Sequence, residues 1–104
     1  MAVKTKHETL TMTNAGQAYQ VSATTKRALT VTFEADNLNS GKIYIGDSSV
    51  TTSNGITLGP GESVSITTDP SSISGFNSSV KMDSFYCISS NAGNVVRIHY
   101  AVNV

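Results

Sequence analysis

Between residues 41 and 66 the sequence alternates apolar and polar side chains in short runs cut by turn signals, and that punctuation commits the chain to short strands. Ile43 and Ile45 point one way and Tyr44 the other, Ile56 and Leu58 follow the turn pair Asn54-Gly55, and Val64 and Ile66 follow Gly59-Pro60-Gly61-Glu62. A period of two belongs to a half-buried strand, whose successive side chains leave opposite faces. Pro60 presets φ for the second position of a type II turn, and Gly61 supplies the positive φ that the third requires. This turn is expected to reverse the chain between two strands.

The same period recurs on either side. Tyr19, Val21 and Ala23 share one face. Leu29, Val31 and Phe33 share another, with Ala28, Thr30, Thr32 and Glu34 opposite; Val96, Ile98, Tyr100 and Val102 face away from Arg97 and His99. Residues 85–89 and 95–102, joined by Ser90-Asn91-Ala92-Gly93-Asn94, read as a closing hairpin. The first thirteen residues are polar and rich in β-branched Thr, with only Leu10 and Met12 as larger apolar groups behind Val3, and read as an extended arm. A serine-rich stretch, residues 69–82, carries only Ile73, Phe76, Val80 and Met82 as apolar residues. A loop this long in a compact domain is functional or orders against a partner. No helical period occurs. The expected fold is all-β, an antiparallel β-sandwich or jelly roll of about eight short strands, with an arm at 1–13 and a single domain at 14–104. Its expected core is Leu29, Val31, Phe33, Ile43, Ile45, Val64, Ile66, Val96, Ile98 and Tyr100.

A chain of 104 residues accommodates one domain. Charged residues are 13% of the chain, against about 25% in a typical protein. Ser and Thr number 28, so hydroxyls must cover much of the surface. Seven basic and seven acidic side chains cancel, which removes the footprint of a partner such as nucleic acid or an anionic membrane. Lys4 and Lys6 are not followed by an apolar run, so no signal peptide is expected, and no window has the ~18 apolar residues of a membrane span. Cys87 is the single cysteine, which excludes an internal disulfide and fits synthesis in a reducing cytoplasm.

Several residues invite chemistry. Gly46-Asp47-Ser48 after a strand is similar to the nucleophile block of the GDS-type esterases, but His99 has Val96 three residues before it where those enzymes place an Asp. Ser63, in Gly61-Glu62-Ser63-Val64-Ser65, lacks the final Gly of a nucleophile elbow and sits between two strands. Neither serine is expected to be catalytic. His7, His99 and Cys87 lack any paired ligand spacing, so no metal site within one chain and no cofactor is expected; across a symmetry axis a His can meet its copies. Cys87 reads as a small buried hydrophobe. Asp36, Asp47, Asp69 and Asp83 fall in or beside loops without the spacing of a calcium loop, and read as turn formers. Asn77-Ser78-Ser79 fits a glycosylation sequon that a chain without a secretory signal does not use. Tyr19, Tyr44, Tyr86 and Tyr100 are assigned to packing.

Ile43-Tyr44-Ile45-Gly46-Asp47, Asn54-Gly55-Ile56, Leu58-Gly59-Pro60-Gly61-Glu62-Ser63 and the pair Phe85-Tyr86-Cys87-Ile88-Ser89 and Val95-Val96-Arg97-Ile98 together resemble a pattern of small β-sandwich virion proteins of tailed bacteriophages. The resemblance spans about residues 29–102. It implies a non-enzymatic structural role in the virion, as a capsid decoration (cement) protein on the capsid exterior, made in the bacterial host cytoplasm. The implied partners are the major capsid protein and copies of itself in a homotrimer, since trimers match the local threefold positions of an icosahedral shell. A tail, neck or fibre component, a carbohydrate-binding module and a small esterase are the alternatives.

Overall fold

A computed structural model describes residues 3–22, 27–67 and 80–103. Ten antiparallel strands are formed among them: β1 (Val3–Met12), β2 (Tyr19–Gln20), β3 (Arg27–Ala28), β4 (Thr30–Ala35), β5 (Ile43–Gly46), β6 (Ile56–Leu58), β7 (Ser63–Thr67), β8 (Val80–Lys81), β9 (Tyr86–Ser89) and β10 (Asn94–Asn103). The first sheet has the order β1-β10-β4-β7, the second β2-β9-β5-β6, and β3 pairs with β8 in a separate ribbon. The pairs β1 with β10, β2 with β9, β3 with β8, β4 with β7 and β5 with β6 are nested one inside the next. Such a nested hairpin, wrapped so that its strands fall into two facing sheets, is a jelly roll. The expected class holds, with ten strands in place of about eight: eight build the two sheets, and the ribbon adds two too short to stand out in the sequence.

The core lies between the sheets. Val31, Phe33, Ala35, Val96, Ile98 and Tyr100 enter it from the first sheet, and Ile43, Ile45, Leu58 and Cys87 from the second. Phe33 packs against Phe85 with ring centroids 5.6 Å apart. Each fully buried Val, Ile or Phe contributes about 1.5–3 kcal/mol over its exposed state. Of the expected core, Leu29, Val64 and Ile66 are only half-buried. β7 is the outer strand of its sheet, so its inward residues meet neighbours on one side only. Leu29 falls in a break between β3 and β4, where its backbone N–H donates to the Ala101 carbonyl. The break shifts the alternation by one, and Ala28, expected on the outer face, is buried.

Two expected connections differ in kind. Glu62 N–H donates to the Gly59 carbonyl at 3.0 Å and Gly61 has φ +81, so the type II turn forms. It carries the chain from β6 in one sheet to β7 in the other and makes no hairpin. Its backbone is stitched instead to the end of β4, through Gly61 N–H to the Ala35 carbonyl and Ala35 N–H to the Glu62 carbonyl. Likewise β9 and β10 are not a closing hairpin; β9 lies between β2 and β5 and β10 between β1 and β4. The connection spans the sandwich, held by the buried pair Ser89 and Asn94.

The segment expected to stand off as an arm is extended, but it is the edge strand of the first sheet, paired with β10 from Val3↔Asn103 to Met12↔Asn94. Ten residues at about 3.4 Å each span ~34 Å, most of the molecule's 40 Å long axis. Met12 is buried and Leu10 partly so, whereas Lys4, Thr5, Lys6 and His7 are all exposed. The second half of β1 is thus held by the core, and the first half by its ladder and the contact of His7 with His99. Most of the expected 69–82 loop, with Asp69 and the sequon at 77–79, lies outside the described residues, as does Ala23. At its end Val80 and Met82 are buried, in β8 and in a 3-10 turn (Met82–Ser84).

Candidate functional site

The outer face of the first sheet gathers the chemically versatile side chains. Two cross-strand rows follow from the register. One runs Thr9, Arg97, Glu34, Ser63 and the next His7, His99, Thr32, Ser65. Directly opposite residues on one face are close enough for their side chains to bond. His7 Nδ1 and His99 Nδ1 are 2.7 Å apart, with ring planes at 76°. Thr32 Oγ1 and Ser65 Oγ share a hydrogen bond of 2.8 Å. Diagonally, His99 Nε2 lies 3.1 Å from Glu34 Oε1. Arg97 pairs with Asp36 at 3.4 Å, beyond the end of β4.

Below the histidine row the side chain on β10 is the small Ala101, opposite Thr5 on one side and Thr30 on the other. The missing bulk leaves an open hollow of about 180 Å³ lined by Thr5, His7, Thr30, Thr32, His99, Tyr100 and Ala101. Its side-chain donors and acceptors are hydroxyls and imidazoles. Glu34 borders it through His99.

The residues singled out in the sequence are dispersed. Ser48 is exposed in the turn after β5, in the other sheet, where Asp47 Oδ1 accepts from Ser49 Oγ at 2.6 Å and Ser49 N–H at 2.9 Å. Those bonds hold the Asp47 carboxyl below the usual carboxylate range. Asp47 therefore closes a local turn. Ser63 starts β7 opposite Glu34. His99 has Nε2 directed at Glu34 and Nδ1 at His7, so neither nitrogen is aimed at a serine. Cys87 is fully buried, and burial pushes its thiol up to about 12. Asp36 bonds Arg97 and the Leu38 N–H; Asp83 sits in the 3-10 turn, where its carbonyl accepts from Gln20 Nε2. Tyr100 is buried and donates to Glu8 Oε2 at 2.7 Å, while Tyr19, Tyr44 and Tyr86 are half-buried. Among the described residues no three His, Cys, Asp or Glu side chains converge as a metal cage.

Sequence reasoning treated His7 and His99 as separate residues and missed that they face each other. They are 92 positions apart. The signal was available only through the pairing of the first strand with the last, which the arm reading precluded. No known protein family matches this chain, and no curated protein matches it.

Proposed function

We propose that this chain is a structural protein of a bacteriophage virion, a decoration (cement) protein that binds the outer surface of the capsid and stabilises it. The observation that carries the reading is the long strand β1 at the end of its sheet. Its far side offers backbone N–H and C=O groups to no strand among the described residues, and an open edge is a template for β-augmentation by another chain. Lys4 and Lys6 on that strand discourage indiscriminate edge pairing and favour a segment with acidic complements. The hydroxyl-rich, charge-balanced surface suits close packing among many equivalent copies. Jelly rolls serve viral capsids and lectins alike, so the fold by itself does not choose the task.

The test incubates the purified protein with empty capsid shells of the phage that the reading assigns it to. Stoichiometric co-sedimentation, with new deuterium-exchange protection of residues 3–12 on the shell, supports the reading. A protein that stays in the supernatant, or that binds purified tails or fibres instead, refutes the capsid assignment. Binding to shells without protection of β1 refutes the edge as the contact.

A further inference from the structure

His7 and His99 stand directly opposite each other on β1 and β10, on the open face of the sheet. The hydrogen bonds around them fix where the lone pairs point. A carboxylate only accepts, so the 3.1 Å contact to Glu34 Oε1 places the proton of His99 on Nε2. In neutral His99 the lone pair is therefore on Nδ1, and that atom faces His7 Nδ1 at 2.7 Å. A single proton between the two nitrogens completes the bond. Moved to Nε2 of His7, it leaves two lone pairs that face each other across 2.7 Å and meet on one ion once the rings tilt apart.

We propose that His7 and His99 form a two-imidazole chelate for a late first-row divalent cation, Cu²⁺, Ni²⁺ or Zn²⁺, with Glu34 as the positioning residue for His99. A carboxylate on the far ring nitrogen is the arrangement that orients histidine ligands and raises their basicity. Zn–N bonds of about 2.0–2.1 Å in a tetrahedral site hold two nitrogens ~3.3 Å apart, so the pair opens by about 0.6 Å. His7 is exposed and His99 half-exposed, and their rings have room to make that adjustment. Water fills the remaining positions, which leaves the ion exchangeable and open to a further ligand from a neighbouring chain.

With both rings neutral, the cation displaces the Nδ1 proton of His7 to its Nε2, and none is released. Among the described residues, the other charged side chains on this face are Glu34 on β4 and Arg97 on β10, the latter engaged by Asp36; β1 and β7 add Thr5, Thr9, Ser63 and Ser65 around the pair.

The experiment titrates the tag-free protein with NiCl₂ and separately with ZnCl₂ in a non-coordinating buffer, by calorimetry and by ¹⁵N chemical shifts of the imidazoles. One ion per chain is expected, held at the two Nδ1 atoms, with Ni²⁺ tighter than or equal to Zn²⁺. His7→Ala and His99→Ala should each weaken binding at least about tenfold, because each removes half of the chelate. Glu34→Ala, which removes the acceptor, should weaken it about tenfold without changing the stoichiometry, and should shift the His99 tautomer seen in the metal-free ¹⁵N spectrum. Binding that survives either histidine substitution at parental strength, or shifts confined to other residues, overturns the site. An unchanged His99 tautomer in Glu34→Ala overturns the role of Glu34. The outcome does not depend on the virion reading, since no capsid is present.

Discussion

Asn94→Ala tests whether the passage from β9 to β10 is held as the geometry implies. Asn94 is 2% exposed and Ser89 0%. Asn94 Nδ2 donates to Ser89 Oγ at 2.8 Å, and its Oδ1 accepts from Ser40 N–H at 3.0 Å and Ser40 Oγ at 3.3 Å. Ser89 Oγ in turn donates to the Asn91 carbonyl at 2.6 Å and accepts from Asn91 N–H at 3.2 Å. Ser40 is exposed, so water replaces both of its lost bonds. Ser89 is sealed, and the lost bond costs about 1 kcal/mol, with a further 1–2 kcal/mol, roughly, for the void left by the carboxamide. The expected loss is about 2–3 kcal/mol of a total near 5–15 kcal/mol for a domain of this kind. Ser89→Ala strands the buried Asn94 amide and should cost about 1–3 kcal/mol. In the double variant the shared bond is lost once and no amide remains stranded, so the combined cost should fall short of the sum by about 1 kcal/mol. Urea denaturation of the four proteins, followed by far-UV circular dichroism, measures the cycle. Additivity within about 0.3 kcal/mol refutes the coupling, and an Asn94→Ala cost below about 0.5 kcal/mol refutes its structural weight.

Phe33→Ala removes a fully buried ring in contact with Phe85 and should cost about 3–5 kcal/mol in the same assay; a melting curve close to that of the parent contradicts the burial. Gly55 has φ +89, and a Cβ there meets the Ile45 carbonyl oxygen at 2.7 Å. Gly55→Ala should therefore lower stability by about 1–3 kcal/mol, and an unchanged Tm counts against the turn geometry. Burial raises the Cys87 thiol from 9.0 to about 12, so the folded chain keeps a proton that the unfolded chain releases. This contribution is complete below pH 9 and is lost as pH rises towards 12, so the parent should lose stability relative to Cys87→Ala across that window. A thiol reagent should label Cys87 only upon unfolding; rapid labelling of the folded protein refutes this.

The strands were legible because alternation is a local property. Val31 and Phe33, Ile43 and Ile45, and Val96 and Ile98 each declare a face, and all six are buried. Alternation does not declare a sheet. Leu58 and Val64 flank a well-formed turn, yet they belong to opposite layers, as do Cys87 and Val96, because a turn between strands of one sheet and an arch between two sheets use the same Gly, Pro and Asn residues. What separates them is tertiary: the arch at 59–62 is fixed by its two backbone bonds to Ala35, and the arch after β9 by Asn94 and Ser89. A one-residue break is similarly silent, and Leu29 turned an apparently continuous strand into two.

β1 was the least legible element, and the reason bears on the site. Its inward row is Lys4, Lys6, Glu8, Leu10 and Met12, opposite Val102, Tyr100, Ile98, Val96 and Asn94, so the apolar signal is confined to the last two positions of the row. A strand with so little to bury is held in its first half by the β10 ladder, which makes that half the place where the sheet opens first. His7 and His99 sit in this weakly held part, joined by a contact that needs one of the two Nδ1 atoms to lack a proton. A cation bound by both rings would tie β1 to β10 where packing supplies little. Metal binding should therefore slow amide exchange in residues 3–7 while leaving residues near Met12 unchanged, which ties the readiness of the open edge for a neighbouring chain to the state of the histidine pair.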